Sequence, residues 1–279
     1  MAIATLLIIA FTGFFTYIGF QSREFTERYI FDPRYVLVNK DYYRIISSAF
    51  LHVDWQHLVF NMLTLYFFGS GIELRYGLAQ FLLIYVASIA GGSLLSLYLH
   101  RNHEYRAVGA SGGVCGVLFS SIFLFPGGSI YMFFIPIPIP TWLFAIVYLG
   151  YTFRGIKTNR DNIGHDAHLG GVIMGMLVTT VLYPAIIKSS PLLYAAVLLS
   201  VAVFLFVLLK GPVLHLASLK ALFSPSKQRQ MEPMAHRYAK ADKVKQREVD
   251  RILEKISEHG FDSLTREERV FLDRFSKRK

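Results

Sequence analysis

The sequence predicts an all-α polytopic membrane protein, because the chain is strongly apolar and its apolar residues fall into seven long segments. Hydrophobic residues make up 53% of the chain and charged residues only 17%, and the mean hydropathy is +0.41. That composition excludes an ordinary soluble domain. Since a helix needs roughly 20 mostly apolar residues to cross a bilayer, we expect spans at about 3–20, 55–72, 79–99, 109–126, 139–154, 167–187 and 191–209.

The first apolar segment is interpreted as a retained helix and not as a signal peptide. It is longer than the apolar core of a signal peptide, it has no basic region before it, and no small-residue cleavage site follows it.

Two connections between the segments carry patterns of their own. The polar connection at about 21–53 is rich in Tyr, Phe and Arg, which favours a position in the membrane interface. Before the fifth segment, Pro136, Pro138 and Pro140 alternate with isoleucine. Because proline breaks a helix and disfavours helical backbone at the residue before it, we expect an extended stretch there.

The end of the chain is polar and basic. Residues 210–279 hold 17 Lys+Arg against 10 Asp+Glu, which is +7 of the net charge of +10. Such a tail can contact anionic headgroups or remain a solvated extension, and the sequence leaves both open. Within it, residues 249–256 repeat apolar side chains at helical spacing and Gly260 is a suitable stop. Thr265 and Glu268 have the form of a capping box that begins a second short helix.

Two reactive side chains stand where apolar segments begin. Ser111, in a Gly-Ala-Ser-Gly-Gly run, begins the fourth segment, and His168 begins the sixth. Ionisable residues at membrane depth are costly and tend to mark function, and a histidine base can activate a serine nucleophile. Small residues at four-residue spacing, such as Gly171 and Gly175, also serve helix packing. Packing alone therefore remains the alternative for Ser111, and a structural hydrogen bond remains the alternative for His168.

A third polar group lies at the start of the second segment. His57 and Asn61 are four residues apart on one helical face, with His52 just before them. An imidazole, an amide and a backbone N–H at a helix N-terminus can together stabilise an oxyanion. The alternatives are a polar pair between helices or a metal site. Zinc is weakly supported, because no His-Glu-x-x-His occurs and Asp54 and Asp166 are the nearby carboxylates.

Together these residues resemble the rhomboid family of intramembrane serine proteases. Five motifs carry the resemblance in the family's order over about 38–187. They are His52, His57 and Asn61 (His-x4-His-x3-Asn), Gly109 and Ser111 (Gly-x-Ser-Gly), His168 with Gly171 and Gly175 (sixth-helix motif), Arg44 (first-loop arginine), and Glu73 with Arg75 (second polar cluster).

The resemblance implies an endopeptidase that cleaves the transmembrane segments of single-span membrane proteins. It implies a Ser111–His168 dyad and an oxyanion site formed by His57, Asn61 and the Ser111 N–H, with Gly109 beside it. It implies no cofactor, metal or nucleic acid, and it leaves the oligomeric state open. The supporting residues are then His52, Arg44, Glu73, Arg75, Gly171 and Gly175.

One position departs from the family. The residue four places after the nucleophile is commonly aromatic and packs on the catalytic histidine, but here it is Cys115, the single cysteine of the chain. We therefore expect His168 to be held more loosely.

Two other functions are weighed against the protease. A catalytically silent rhomboid-like protein that binds transmembrane clients predicts a missing dyad residue, and none is missing. A transporter or metal carrier predicts charged residues in mid-span and internal repeats, and the sequence has neither.

The resemblance also orders the chain into domains. We expect a first transmembrane helix with the start of the first loop at 1–37, a peptidase core at 38–187, an additional transmembrane helix at 188–211, a basic linker at 212–247 and a short helical module at 248–279.

Localisation follows from the same resemblance. Residues 256–265 resemble a short module found on some bacterial rhomboids, which indicates a multi-pass protein of the bacterial inner membrane. The first, third and fifth loops hold about nine Lys and Arg residues, so the positive-inside rule predicts them in the cytoplasm, whereas the family has them outside. We follow the family for the core, because long loops obey the charge rule poorly, and leave the side of the tail open.

Overall fold

The protein divides into two units, residues 1–224 and 225–279, in a computed structural model that describes residues 1–102, 104–132, 135–158, 163–210, 250–265 and Glu268. The helices of the first unit are α1 (Ile3–Gln21), α2 (Arg23–Tyr29), α3 (Pro33–Leu37), α4 (Arg44–Ser47), α5 (Trp55–Thr64), α6 (Ser70–Tyr76), α7 (Leu78–His100), α8 (Ser111–Leu124), α9 (Thr141–Thr158), α10 (His165–Leu182), α11 (Ala185–Ser189) and α12 (Pro191–Lys210). The strands are β1 (Ser129–Met132) and β2 (Ile135–Pro140).

The helices confirm the predicted all-α polytopic architecture. Among the described residues, four helices are long and apolar enough to cross a membrane, namely α1, α7, α10 and residues 191–208 of α12. Helix α8 is apolar but shorter, and α5 continues through a π-helical turn at Leu65–Gly69 into α6. The number of spans stays a prediction.

The predicted sixth segment ends earlier than expected. Helix α10 stops at Leu182, and α11 follows as a separate short helix after Pro184. Proline lacks the N–H that would continue the helix and its ring clashes with the preceding turn, so the apolar run of 167–187 is broken at this point.

The proline-rich stretch before α9 forms an extended strand, as predicted. Strand β2 pairs antiparallel with β1, with Ile130 opposite Ile139. Alternate prolines leave every second residue able to donate to the partner strand, which an edge strand of a two-stranded ribbon tolerates.

Three helices, α7, α8 and α10, form the centre of the first unit, and glycines let their backbones approach closely. A Cβ atom on Gly175 would lie 2.6 Å from Gly116 Cα, and one on Gly170 would lie 2.5 Å from Gly91 O. Every residue of α8 after Ser111 is buried. Small residues on both faces of a contact are the usual way for membrane helices to pack, and here they bring the first turns of α8 and α10 side by side.

In the second unit, residues 250–259 are helical and stop at Gly260, where φ is +78°. The predicted capping box is confirmed, because Thr265 N donates to Glu268 Oε2 over 2.8 Å and Glu268 N donates to Thr265 Oγ1 over 3.2 Å. The basic linker and the rest of the second short helix lie outside the described residues.

Candidate active site

Ser111 and His168 stand in the first turns of two helices that touch. Ser111 is the first residue of α8, and His168 lies one turn into α10. Between the two helices, a Cβ on Gly112 would lie 3.1 Å from Ala167 O, so the chain neighbours of Ser111 and His168 are in contact. Both residues are half-buried. The structure therefore brings a hydroxyl and an imidazole to the same end of the bundle.

The length of α8 bears on the depth of Ser111. Its 14 residues span about 21 Å at 1.5 Å per residue, whereas the hydrocarbon core is about 30 Å thick. With its far end at one face of the bilayer, α8 would start roughly 9 Å below the other face. The first N–H groups of a helix lack partners within the helix and carry partial positive charge, which suits a developing anion.

His57 packs against the backbone that leads to Ser111. Gly109 has φ of +133°, and a Cβ there would lie 2.6 Å from His57 Cε1. Glycine is therefore required at this position by the backbone conformation and by the ring. In the part of the chain that the structure describes, His57 Nδ1 is buried and has no hydrogen-bond partner. The predicted contribution of His57 to an oxyanion site stays a prediction.

His52 is bonded on both sides. Its Nε2 accepts from Ala110 N over 3.4 Å, so Nδ1 carries the proton and donates to Thr16 Oγ1 over 3.0 Å. Thr16 Oγ1 in turn donates to Phe50 O over 3.1 Å. Burial above all, with a smaller effect of neighbouring His57, lowers the pKa of His52 to about 3. A neutral His52 therefore ties α1 to the residue that precedes Ser111.

Asn61 is buried, and its amide bonds within its own helix. Asn61 Nδ2 donates to His57 O over 2.9 Å, which uses one of the two amide N–H groups. The predicted contribution of Asn61 to an oxyanion site would rest on the second group and stays a prediction.

Arg44 organises the first loop. Its Nη1 donates to the carbonyls of Glu27 and Ile30, each over 2.9 Å, and its Nε donates to Asp41 over 3.1 Å. The guanidinium also lies 4.3 Å from the ring centre of Tyr35. Arg44 therefore holds the connection between α1 and α5 together from the inside.

Glu73 and Arg75 lie at the opposite end of the bundle from Ser111. The Glu73 carboxylate accepts from Ala4 N, Thr5 N and Thr5 Oγ1, each over 2.8 Å, and so caps the N-terminus of α1. Arg75 is exposed. Because His57 and Glu73 belong to one continuous helix, about 24 Å separates them at 1.5 Å per residue. The structure does not bring this pair into the candidate site.

Tyr148, on α9, is the residue that the sequence reading missed. Its hydroxyl lies 3.1 Å from His168 Nδ1 and 2.8 Å from Cys115 Sγ, and the centres of the Tyr148 and His168 rings lie 6.3 Å apart at an interplanar angle of 24°. The expectation that Cys115 leaves His168 loosely held stays a prediction, and it did not include this hydrogen bond from another helix to His168 Nδ1. A tyrosine within an apolar segment was the available signal, but spacing cannot show which residue it faces.

A second polar cluster fixes the N-terminus of α10. His100 Nε2 lies 3.2 Å from Asp166 Oδ2, and Tyr105 OH donates to Asp166 Oδ1 over 3.3 Å. The rings of His100 and Tyr105 stack at 3.8 Å. The end of α7 and the loop after it are thereby tied to the turn that carries His168.

Comparisons with known proteins match two separate parts of the chain. A family model described as "Rhomboid domain" matches residues 39–185, just over half of the chain. A second, described as "Family of unknown function (DUF6576)", matches residues 234–278.

Among similar curated proteins, Rhomboid protein 1, mitochondrial, of Saccharomyces cerevisiae is 34% identical over 155 residues, which are 53% of this chain and 45% of that protein. Rhomboid protease GluP of Bacillus subtilis is 32% identical over 147 residues, or 53% of this chain and 27% of that protein. Rhomboid protease AarA of Providencia stuartii is 29% identical over 198 residues, or 60% of this chain and 66% of that protein. The chain thus spans less than two thirds of the length of these relatives.

Proposed function

This chain belongs to the rhomboid family, and from that membership we propose that it is an intramembrane serine endopeptidase with Ser111 as nucleophile and His168 as base. The observation that carries the proposal is the contact between the first turns of α8 and α10. Gly112 packs against Ala167 O, and these two residues are the chain neighbours of Ser111 and His168, so the contact supports a short distance between the serine and the histidine. His168 Nδ1 is already hydrogen-bonded, which leaves Nε2 as the proposed base.

The proposed reaction is acyl transfer to serine followed by hydrolysis. Ser111 Oγ attacks the scissile carbonyl while His168 Nε2 takes the hydroxyl proton, and the imidazolium then gives that proton to the leaving amine. Water then attacks the acyl-enzyme while His168 Nε2 takes a proton from it, and the imidazolium returns that proton to Ser111 Oγ as the ester bond breaks. The Ser111 N–H, the His57 ring and the second Asn61 N–H are proposed to donate to the oxyanion, and such donors each contribute roughly 10²- to 10³-fold to turnover.

The proposed substrates are the transmembrane segments of single-span proteins in the surrounding bilayer. A peptide bond in a membrane helix is already hydrogen-bonded and shielded, so it has to be received locally unwound. We expect a small residue at the cut, because glycines surround Ser111 and leave little space.

The protein is an integral membrane protein, as its apolar helices and its family show. The bacterial inner membrane is our proposal for its location, supported by the tail motif at 256–265. Its relatives include bacterial proteins and a mitochondrial one.

The test is cleavage of a single-span reporter by the purified full chain in detergent. Ser111→Ala and His168→Ala should each abolish cleavage, and the losses should not add, because nucleophile and base act as a unit. Ser200→Ala is the matched control, since Ser200 is only half-buried, lies on α12, and bonds within its own helix, to Ala196 O, in the described structure. Cleavage by Ser111→Ala would contradict the proposal. Binding of the reporter without cleavage by the wild type would favour the silent relative instead.

A further inference from the structure

A continuous chain of contacts runs from α8 through α9 to α10. Cys115 Sγ lies 2.8 Å from Tyr148 Oη, and Tyr148 Oη lies 3.1 Å from His168 Nδ1. Cys115 is 5% exposed, so water does not compete for these groups. Three residues that are far apart in sequence thus form one polar path that ends on the proposed base.

The direction of the protons along this path decides whether His168 can act. If Cys115 donates to Tyr148 and Tyr148 donates to Nδ1, then neutral His168 carries its proton on Nε2 and cannot accept one from Ser111. In the opposite direction Nδ1–H donates to Tyr148 Oη, and Tyr148 Oη–H donates to the sulfur, which is a weak acceptor. The lone pair is then on Nε2, as a general base requires.

The Tyr148 ring has neighbours that hold it in place. It stacks on Phe144 at 5.7 Å and an interplanar angle of 18°, and it contacts Phe119 of α8 at 5.9 Å. Farther along α9, the rings of Phe153 and Phe204 stack at 4.3 Å, which ties α9 to α12. A Tyr148 ring held in this way fixes the position of its hydroxyl, and therefore the hydrogen bond to His168 Nδ1.

We propose that Tyr148 is a positioning residue for His168, and that it replaces the aromatic residue absent at position 115. Its hydroxyl selects the Nδ1–H form of His168, its packed ring holds that hydroxyl in place, and Cys115 Sγ directs the hydroxyl proton away from His168. This inference rests on the proposed Ser111–His168 function and adds a third side chain to it.

Kinetics of Tyr148→Phe are the first test. The variant keeps the ring and loses the hydroxyl, so kcat should fall roughly 10- to 100-fold, as expected for a lost hydrogen bond to a group that becomes charged. KM should stay within about twofold, because Tyr148 is proposed to touch no substrate. Tyr194→Phe is the matched control, since it removes another hydroxyl between helices, bonded to Thr180 over 2.8 Å, and should leave kcat unchanged.

Cys115 supplies the second test. Cys115→Ser keeps a hydrogen-bonding group and should retain kcat within about threefold. Cys115→Ala removes that group and should lower kcat, as Tyr148→Phe does. The double variant Cys115→Ala with Tyr148→Phe should be no slower than Tyr148→Phe alone, because the sulfur acts only through the hydroxyl. Fully additive losses would overturn the proposed path.

A spectroscopic test does not depend on cleavage. In ¹⁵N-histidine-labelled protein, neutral His168 should show a protonated Nδ1 and an unprotonated Nε2, and Tyr148→Phe should shift it towards the Nε2–H form. If Tyr148→Phe changes neither the ¹⁵N chemical shifts of the His168 ring nor kcat, the positioning role is overturned. A wild type with the expected shifts but no peptidase activity would instead refute the proposed function and leave the hydrogen bond intact.

Discussion

The polar groups Glu73 and His57, at opposite ends of the helical bundle, differ in how many hydrogen bonds they make. At one end the Glu73 carboxylate accepts three hydrogen bonds of 2.8 Å from Ala4 and Thr5, beside the positive end of α1. At the other end Ser111 is half-buried and His57 Nδ1 is buried without a partner in the described structure. Buried polar groups are normally satisfied, so Glu73 contributes to stability, whereas His57 is proposed to use its ring for the oxyanion.

The same contrast separates two neighbouring histidines. The rings of His52 and His57 lie 4.8 Å apart, yet His52 is bonded through both nitrogens and His57 is not. Residue type and burial are therefore poor guides to role here. The hydrogen-bond partners of the ring nitrogens distinguish His52, which has a structural role, from His57, the proposed oxyanion donor.

The largest effect is expected from Gly109→Ala. A methyl group there would meet His57 Cε1 at 2.6 Å in a backbone with φ of +133°, so it strains the turn before Ser111 and displaces the ring. We expect kcat/KM to fall by more than about 10³-fold. Gly127→Ala is the control, because φ is +81° there but nothing lies within 4 Å. Equal losses in the two variants would show that backbone strain alone is responsible.

The variants His57→Ala and His52→Ala should distinguish an effect on turnover from an effect on stability. His57→Ala should slow turnover roughly 10- to 1000-fold with little change in thermal stability. His52→Ala leaves the Ala110 N–H and Thr16 Oγ1 without their partner, so it should cost about 1–3 kcal/mol of folding free energy. Thermal unfolding and reporter cleavage on the same samples check both. A stability loss confined to His57→Ala would reverse the assignment of the two histidines.

At the opposite end, Glu73→Ala should affect stability and not chemistry. It removes the acceptor for two backbone N–H groups and one hydroxyl, which we expect to cost about 1–3 kcal/mol. Cleavage per folded molecule should change less than about threefold, because Glu73 lies roughly 24 Å from His57. Glu73→Gln keeps one acceptor oxygen and should be intermediate in stability. Loss of cleavage in a folded Glu73→Ala protein would break the comparison between the two ends.

A pH dependence of stability is expected from His52. Its folded pKa of about 3 lies below the ordinary value of 6.5, so the unfolded chain binds more protons between these values. The contribution of neutral His52 to the folding free energy is therefore fully present above pH 6.5 and is lost as the pH falls towards 3. Unfolding midpoints of the wild type and His52→Gln at several pH values measure it, and the variant should show a flatter dependence. Parallel curves would mean that His52 titrates normally.

Sequence patterns predicted what depends on local spacing. Apolar runs predicted the apolar helices but not α2, α3 and α4 in the first loop. Alternate prolines predicted the extended β2 strand, and Thr265 with Glu268 predicted a capping box that the structure contains. The end of α10 at Leu182 could have been found as well, since Pro184 marks it.

The remaining features depend on contacts between helices, which a sequence does not contain. Tyr148 meets His168 only because α9 packs beside α10, and Glu73 caps α1 from a helix that begins more than fifty residues after Ile3. Sequence motifs single out reactive groups and small packing residues, but not the neutral side chain that is proposed to orient His168.

The most direct test of the account is labelling of the purified full chain with a fluorophosphonate probe, followed by mass spectrometry of the labelled peptide. The wild type and Glu73→Gln should be labelled on Ser111, Ser111→Ala should not be labelled, and His168→Ala should be labelled far more slowly, because only an activated serine reacts with the probe. Labelling that persists in Ser111→Ala, or that proceeds equally fast in a folded His168→Ala protein, would contradict the claim that Ser111 and His168 form a catalytic pair.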